Sequence, residues 1–236
     1  MITLVGVGHV FNISEQVKNI VRSRHPEVVC LELDAGRYAT LANRNAPRSI
    51  PLQYRLLAYF QKRMAEKFGT EVGDEMMAAA DAAREIGASV ALIDVDASRM
   101  FAELWRRMSF KERMSLLGGA FLGIFIPKER VEHEVERYEQ NADEYIRGMG
   151  EGFPTIKEVL IDDRNRFMAQ KLTALSIQHQ NVLAVVGDGH VPGLLEALKG
   201  SEVDVVRLKD LRAAPPQPAP ETHGAEHNVT YWYHYR

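Results

Sequence analysis

Short apolar runs alternate with amphipathic stretches along most of the chain. Ile2 to Val5 (ITLV) is apolar and β-branched and ends at Gly6, the pattern of a short buried strand. Ile13, Val17, Ile20 and Val21 then recur at helical spacing up to Pro26. Asn12, with Glu15 three places on, reads as the capping box of that helix. Val28 to Leu33 (VVCLEL) predicts a second buried strand. Such a strand–helix–strand unit usually means a parallel pair with a right-handed crossover, so the ends of the two strands can be neighbours. From about Gly36 to Gly87 the pattern is helical, with a turn near Gly69–Gly73. Ser89 to Val95 predicts a third strand, Pro154 to Leu175 a helix with Thr155 and Glu158 as a second capping box, and Asn181 to Val186 a fourth strand. A short helix from Gly193 to Lys199 stops at Gly200, and Val203 to Leu208 predicts a fifth strand. Strands alternating with helices imply an α/β domain with a central, mostly parallel sheet and flanking helices.

Two regions break the rhythm. Residues 98–150 predict helices between the third strand and the helix that precedes the fourth, a helical insertion that reads as a lid, an oligomer surface or additional core. Its apolar run, Leu116 to Ile126, is shorter than the 18 or so residues a membrane span needs and is closed by Pro127. After residue 212 comes a proline-rich linker (AAPPQPAP, 213–220), and then NVTYWYHYR, which has the content of an edge strand. The organisation expected is an α/β domain over 1–212 and an appended tail over 213–236.

Composition narrows the class. A chain of 236 residues fits one large domain, and 46% hydrophobic with 26% charged residues excludes wholesale disorder. A net charge of −3 offers no basic surplus for nucleic acid. The single cysteine, Cys30, cannot close an internal disulfide, which favours a reducing compartment. The opening MITLVGVGHV lacks the basic region of a signal peptide. The expectation is a soluble, cytoplasmic protein with no membrane association.

The strongest chemical signal is internal repetition. Val5-Gly6-Val7-Gly8-His9-Val10 matches Val186-Gly187-Asp188-Gly189-His190-Val191 at five of six positions. Each copy follows an apolar strand and precedes a helix, so both histidines belong at the carboxyl edge of the sheet, where open α/β sheets bind ligands. Neither copy is a dinucleotide fingerprint, because Phe11 and Pro192 occupy the third glycine position. Neither is followed by Gly-Lys-Ser/Thr, so neither is a phosphate loop. A single such histidine would be read as packing in a tight turn; two copies point to a site.

Glu32 lies in an otherwise apolar run, where an unpaired carboxylate is costly. With His9 and His190 it makes a natural first shell for zinc, manganese or cobalt. An edge position with an arginine partner would explain it as well. Arg37 could bind a carboxylate or steady Glu32. Asp94 ends the third strand and suits a ligand or supporting role, whereas Asp96 reads as a helix N-cap. In IDDRNRFMAQKL, Arg164 falls four residues after Leu160 and approaches the core side, with Leu160, Phe167 and Leu172 as packing positions. A site carboxylate, a substrate oxyanion or an intrahelical ion pair would each satisfy it.

These segments resemble the TraB/PrgY, or pheromone-shutdown, family. Gly6 to His9, Pro26, Glu32, Asp34 and Arg37 match its opening motif; FPTIKEVLIDDRNRFMAQKL and NVLAVVGDGHVPGLLEAL are similar to its later ones. The resemblance spans about residues 1–210. One departure is Val95, where many relatives carry an arginine after the third strand; another is the absence here of the hydrophobic segments that follow the domain in many relatives. The family is related to Tiki metalloproteases and, more widely, to erythromycin-esterase-like and haem-uptake-like proteins. The resemblance implies a divalent metal held by His9 and His190, with Glu32 as ligand or general base and Arg164 binding substrate or stabilising an oxyanion; Arg37 and Asp94 are the candidates for substrate binding. The expected function is metal-dependent hydrolysis, of a peptide above all, with manganese, cobalt or zinc as cofactor and a possible homodimer through the insertion. The rivals are a peptide- or ligand-binding regulator without turnover and a metal-free esterase.

Overall fold

The computed structural model describes residues 1–8, 13–43, 73–115 and 152–213. Five strands form one parallel sheet: β1 (Ile2–Val7), β2 (Val28–Leu31), β3 (Ser89–Leu92), β4 (Val182–Gly187) and β5 (Val203–Val206), in the order β3-β2-β4-β1-β5. The chain is an α/β fold with this sheet at its centre and helices on both faces. β1, β2 and β4 are apolar and buried along almost their whole length, as strands covered on two faces must be. β3 and β5 carry Ser89 and Asp204 and are only partly buried, which suits them to the edges.

Alternate residues feed two cores. Val5, Val7, Val29, Leu31, Leu183 and Val185 pack against helices α1 (Ser14–Arg24) and α3 (Asp74–Glu85). α3 meets them with Ala79, Ala80, Ala82 and Ala83, and these small side chains let it lie close to α1 and β2. On the other face Ile2, Leu4, Val28, Cys30, Ala184 and Val186 pack against α6 (Asp163–Gln178) and α7 (Val191–Ala197). α2 (Ala35–Ala42) follows β2, α4 (Ala97–Arg107) follows β3, and α8 (Leu208–Ala213) follows β5. α5 (Pro154–Lys157) enters α6 through a π turn, Glu158–Asp162.

Several expectations change. β1 and β2 are parallel but not neighbours, because β4 lies between them. The reason is burial: β4 (VLAVVG) is apolar on both faces and takes a central place that chain order does not reveal. β2 is shorter than expected and stops at Leu31, although Glu32 still donates its N–H to the Val185 carbonyl at 3.1 Å. The N-cap of α1 is Ile13, with no side-chain cap, and Asn12 lies outside the described residues. The second capping box does not form. Phe153 is the N-cap of α5 and Pro154 its pre-organised first residue. The Thr155 N–H and hydroxyl donate instead to Glu112, at 3.1 and 3.0 Å. Phe167 is not in the core; Met168 takes that role, completely buried beside Leu172.

Of the predicted insertion, α4 and a helix over 110–115 are described. Leu104 and Met108 pack there with Val159, forming a small cluster separate from both sheet cores. The apolar run at 116–126, the rest of the insertion and the tail from 214 lie outside the described residues. Among the described residues no helix is long and apolar enough to cross a membrane.

Candidate functional site

The carboxyl ends of β2, β3 and β4 bring together Glu32, Asp94 and the Gly187–His190 loop, and α6 adds Arg164 and Asn165. Glu32 is the hub and is only 6% exposed. One of its oxygens, Oε2, accepts the Gly187 N–H at 2.5 Å. The other, Oε1, accepts from Arg164 Nη2 and faces His190 Nε2 at 3.3 Å. Gly187 serves this contact directly, since a Cβ there would stand 3.3 Å from Oε2. Glu32 thus meets both an arginine and a histidine, and it does so buried rather than at an exposed edge.

Arg164 is 12% exposed and fully engaged. Its Nε donates to Asp94 Oδ1 at 3.0 Å, Nη2 also to Asp94 Oδ2 at 2.7 Å, and Nη1 to the Leu160 carbonyl at 3.2 Å. The π turn just ahead of it contains that carbonyl, a placement often found at functional sites. Burial opposes the charged guanidinium, but Glu32 and Asp94 outweigh it and hold the Arg164 pKa above its ordinary value. Asp94 is almost wholly buried and also accepts from Arg37 Nη2 and from the Val95 N–H at 2.8 Å. Arg37, whose side chain is 38% exposed, reaches Asp34 as well, at 2.7 Å. Asp34 caps α2 by accepting the Arg37 N–H at 3.0 Å. Burial raises the Asp34 pKa, but the hydrogen bonds from Arg37 prevail and hold it below the usual carboxylate value. Asp96 is the N-cap of α4, accepting the Arg99 N–H at 2.9 Å.

Asn165 decides the chemistry of His190. Its Oδ1 lies 2.8 Å from His190 Nδ1, and both side chains are buried. In a neutral ring, an amide oxygen on that side keeps the proton on Nδ1 and turns the Nε2 lone pair toward Glu32. Two acceptors 3.3 Å apart repel unless a proton or a metal ion lies between them. Two ligands of a tetrahedral zinc, each about 2.0–2.1 Å from the ion, stand about 3.3 Å apart. Among the described residues, Glu32, Asp34 and Asp94 against Arg37 and Arg164 leave one negative charge, which favours a cation. His190 and Glu32 thus fit two positions of a metal shell. Among the described residues no third His, Cys, Asp or Glu joins them, and His9 lies outside those residues.

Against known proteins, the family model described as TraB/PrgY/gumN matches residues 1–207. The chain belongs to the TraB/PrgY/gumN family. It is 34% identical over 225 residues to an uncharacterized protein of Methanocaldococcus jannaschii. That match covers 88% of this chain and 56% of the relative, so the chain spans little more than half of the relative's length. A solved structure of ChaN from Campylobacter jejuni, described as showing cofacial heme binding, is similar at 14% identity and a TM-score of 0.38, over 87% of this chain and 80% of that one.

In this member of the TraB/PrgY/gumN family, the motif residues Glu32, Asp34 and Arg37 fall into one connected cluster with Asp94, Arg164 and His190. Three contributors escaped sequence reading. Asn165 carried a signal: it occupies the buried stripe Asn165, Met168, Ala169, Leu172 of α6, where a lone polar side chain needs a buried partner. Gly193 makes room for it, since a Cβ there would stand 2.1 Å from Asn165 Nδ2. Asp188, the variable position of the repeat, is buried and held by Arg207 at the end of β5.

Proposed function

We propose that this protein is a divalent-metal-dependent hydrolase and that its substrates are peptides. The observation that carries the reading is His190, held through Nδ1 by Asn165 at 2.8 Å, with its Nε2 facing a carboxylate oxygen of Glu32 at 3.3 Å. The metal ligands are His190, Glu32 and, by family resemblance, His9. A zinc, manganese or cobalt ion bound there would supply a water of lowered pKa and polarise the scissile carbonyl. The protein's own part is positional. Asn165 orients His190, and Gly187 and Arg164 fix the two oxygens of Glu32. Arg164 holds Glu32 and Asp94 together, so its contribution to oxyanion stabilisation is shared with these carboxylates. Arg37 is the site cation that reaches solvent and is assigned to a substrate carbonyl or carboxylate. The peptide preference rests on the resemblance to Tiki metalloproteases. A cytoplasmic setting agrees with the single, buried Cys30.

One observation favours a second reading. Both Glu32 oxygens already accept hydrogen bonds, from Arg164 and Gly187, so a proton shared between His190 and Glu32 would serve a metal-free esterase. Elemental analysis decides between them, with the wild type compared to a His9→Ala/His190→Ala double variant. About one divalent ion per chain, lost in the variant and needed for peptide cleavage, supports the proposal. Chelator-insensitive ester hydrolysis without bound metal establishes the second reading. Ligand recovered intact, with neither activity, identifies a binding regulator.

A further inference from the structure

We propose that Asp188 and Arg207 form a clamp that positions His190, making Arg207 a positioning residue for the site although it lies on the far side of β1 from Glu32. The proposal rests on the reading of His190 as a site residue. Asp188 opens the single 3-10 turn that ends at His190. Its carboxylate takes Arg207 in a bidentate pair, Nε to Oδ1 at 2.9 Å and Nη2 to Oδ2 at 2.8 Å. The Leu208 N–H adds a third bond to Oδ1 at 2.9 Å. Below it, the place a Cβ on Gly6 would occupy is 2.3 Å from Oδ1. Gly6 belongs to the first Gly-x-Gly-His copy and Asp188 to the second. The two repeats therefore interlock: the glycine of one is the seat for the carboxylate of the other.

Three donors from beyond β5 and a glycine seat fix Asp188 in place and in orientation, as a bidentate guanidinium does and a point charge does not. His190, two residues on within the same turn, inherits that constraint. The 3.3 Å separation from Glu32 is then fixed from one side by Asn165 and from the other by the clamp. β5 carries a second ion pair, Arg24 with Asp204 at 2.6 Å, which is exposed and does not touch the loop. It provides the control.

The test uses the full chain without added metal. Imidazole nitrogen and Nδ1–H signals are recorded by NMR for the wild type, Arg207→Gln, Arg207→Lys and Arg24→Gln, with His190→Gln to identify the resonances. Thermal unfolding is followed in parallel. The expected result is that Arg207→Gln averages the His190 tautomers and speeds exchange of its Nδ1 proton about tenfold, as when one charge-assisted contact is lost. Arg207→Lys, which keeps the charge and loses the fork, recovers part of the fixed tautomer and folds even if Arg207→Gln does not. Arg24→Gln leaves His190 unchanged. Unchanged His190 signals in both Arg207 variants would overturn the clamp, as would equal changes in Arg24→Gln. A wild-type His190 protonated at Nε2 would remove the premise of the hydrolase reading, and the clamp would still be judged by the difference among variants.

Discussion

Glu32 and Asp188 are both buried carboxylates at strand ends of one sheet, and each is held by an arginine and a backbone N–H. They differ in what faces the last lone pair. Around Asp188 every described partner donates: Arg207 twice and the Leu208 N–H. Around Glu32, Arg164 and the Gly187 N–H donate, but His190 Nε2, also beside it, is an acceptor when neutral. Asp188 meets donors alone among the described residues, whereas Glu32 also faces a group that can take a proton or a metal ion. A paired carboxylate is therefore not yet a site; the candidate site is where one of the partners is an imidazole rather than a second fixed donor.

The largest expected effect tests the closed side of Glu32. Arg164→Leu leaves Glu32 and Asp94 buried with a missing cation and should destabilise by about 3–5 kcal/mol in urea unfolding, the usual cost of breaking a buried pair. Arg207→Leu should cost less, about 1–3 kcal/mol, because Arg207 is 28% exposed and solvent can reach part of what it leaves behind. Equal losses would mean that the two carboxylates are equally closed, and the contrast would collapse.

Glycine substitutions come next. Gly6→Ala drives a methyl into Asp188 and Gly193→Ala drives one into Asn165. Each should cost about 1–3 kcal/mol as overpacking. Gly152→Ala meets nothing within 4 Å among the described residues and should stay within about 0.5 kcal/mol of wild type. Only Gly193→Ala releases His190 Nδ1 directly, so it should also weaken binding of manganese in calorimetry more than its stability loss explains.

Much of this was legible in the sequence because periodicity and composition act locally. Burial on both faces makes β1, β2 and β4 read as apolar runs, and the repeat marks the Gly187–His190 loop. Glu32 stood out because a charge in such a run demands a partner. What was not legible depended on order across the sheet. Nothing in Val28 to Leu33 says that β4, not β1, will lie beside it; His190 reaches Glu32 from that strand, and His9, expected with them, lies outside the described residues. The Asp188–Arg207 pair is invisible for the same reason, since it needs β1 and β5 side by side. The capping box at Thr155 failed for a related cause: a carboxylate from a helix 43 residues earlier took the role that local spacing assigned to Glu158.

Acid unfolding sharpens the comparison further. The Asp34 pKa is lowered in the folded protein, with burial working against the shift and Arg37 hydrogen bonds producing it. Its contribution is fully present above the unfolded aspartate value of about 3.9 and is lost as pH falls through the lower folded value. Asp34→Asn should therefore be less stable than wild type at neutral pH, with the gap in melting temperature closing as the solution is acidified below about pH 4. A gap that persists unchanged to low pH would mean that capping geometry, not charge, is what Asp34 supplies.

The smallest effect belongs to Glu112, a carboxylate that is satisfied like Asp188 but at the surface. It accepts from the Ser109 N–H at 2.9 Å and from Thr155 across to α5. The Ser109 backbone bond is the chief cause that holds its pKa at about 2; burial opposes the shift, and the Thr155 and Ser109 hydroxyl bonds add to it. The folded value lies below the unfolded glutamate value of about 4.3, so the contribution is complete above that pH and is gone once pH has fallen through about 2. Glu112→Gln should lower the melting temperature slightly at pH 7, by less than Arg164→Leu, Arg207→Leu, Gly6→Ala or Gly193→Ala, and the gap should close as pH falls toward and through about 2. A carboxyl-carbon NMR titration locates the midpoint directly. A midpoint near 4.3 would show that the Glu112 bonds break in solution and that α5 takes its start from Pro154 alone.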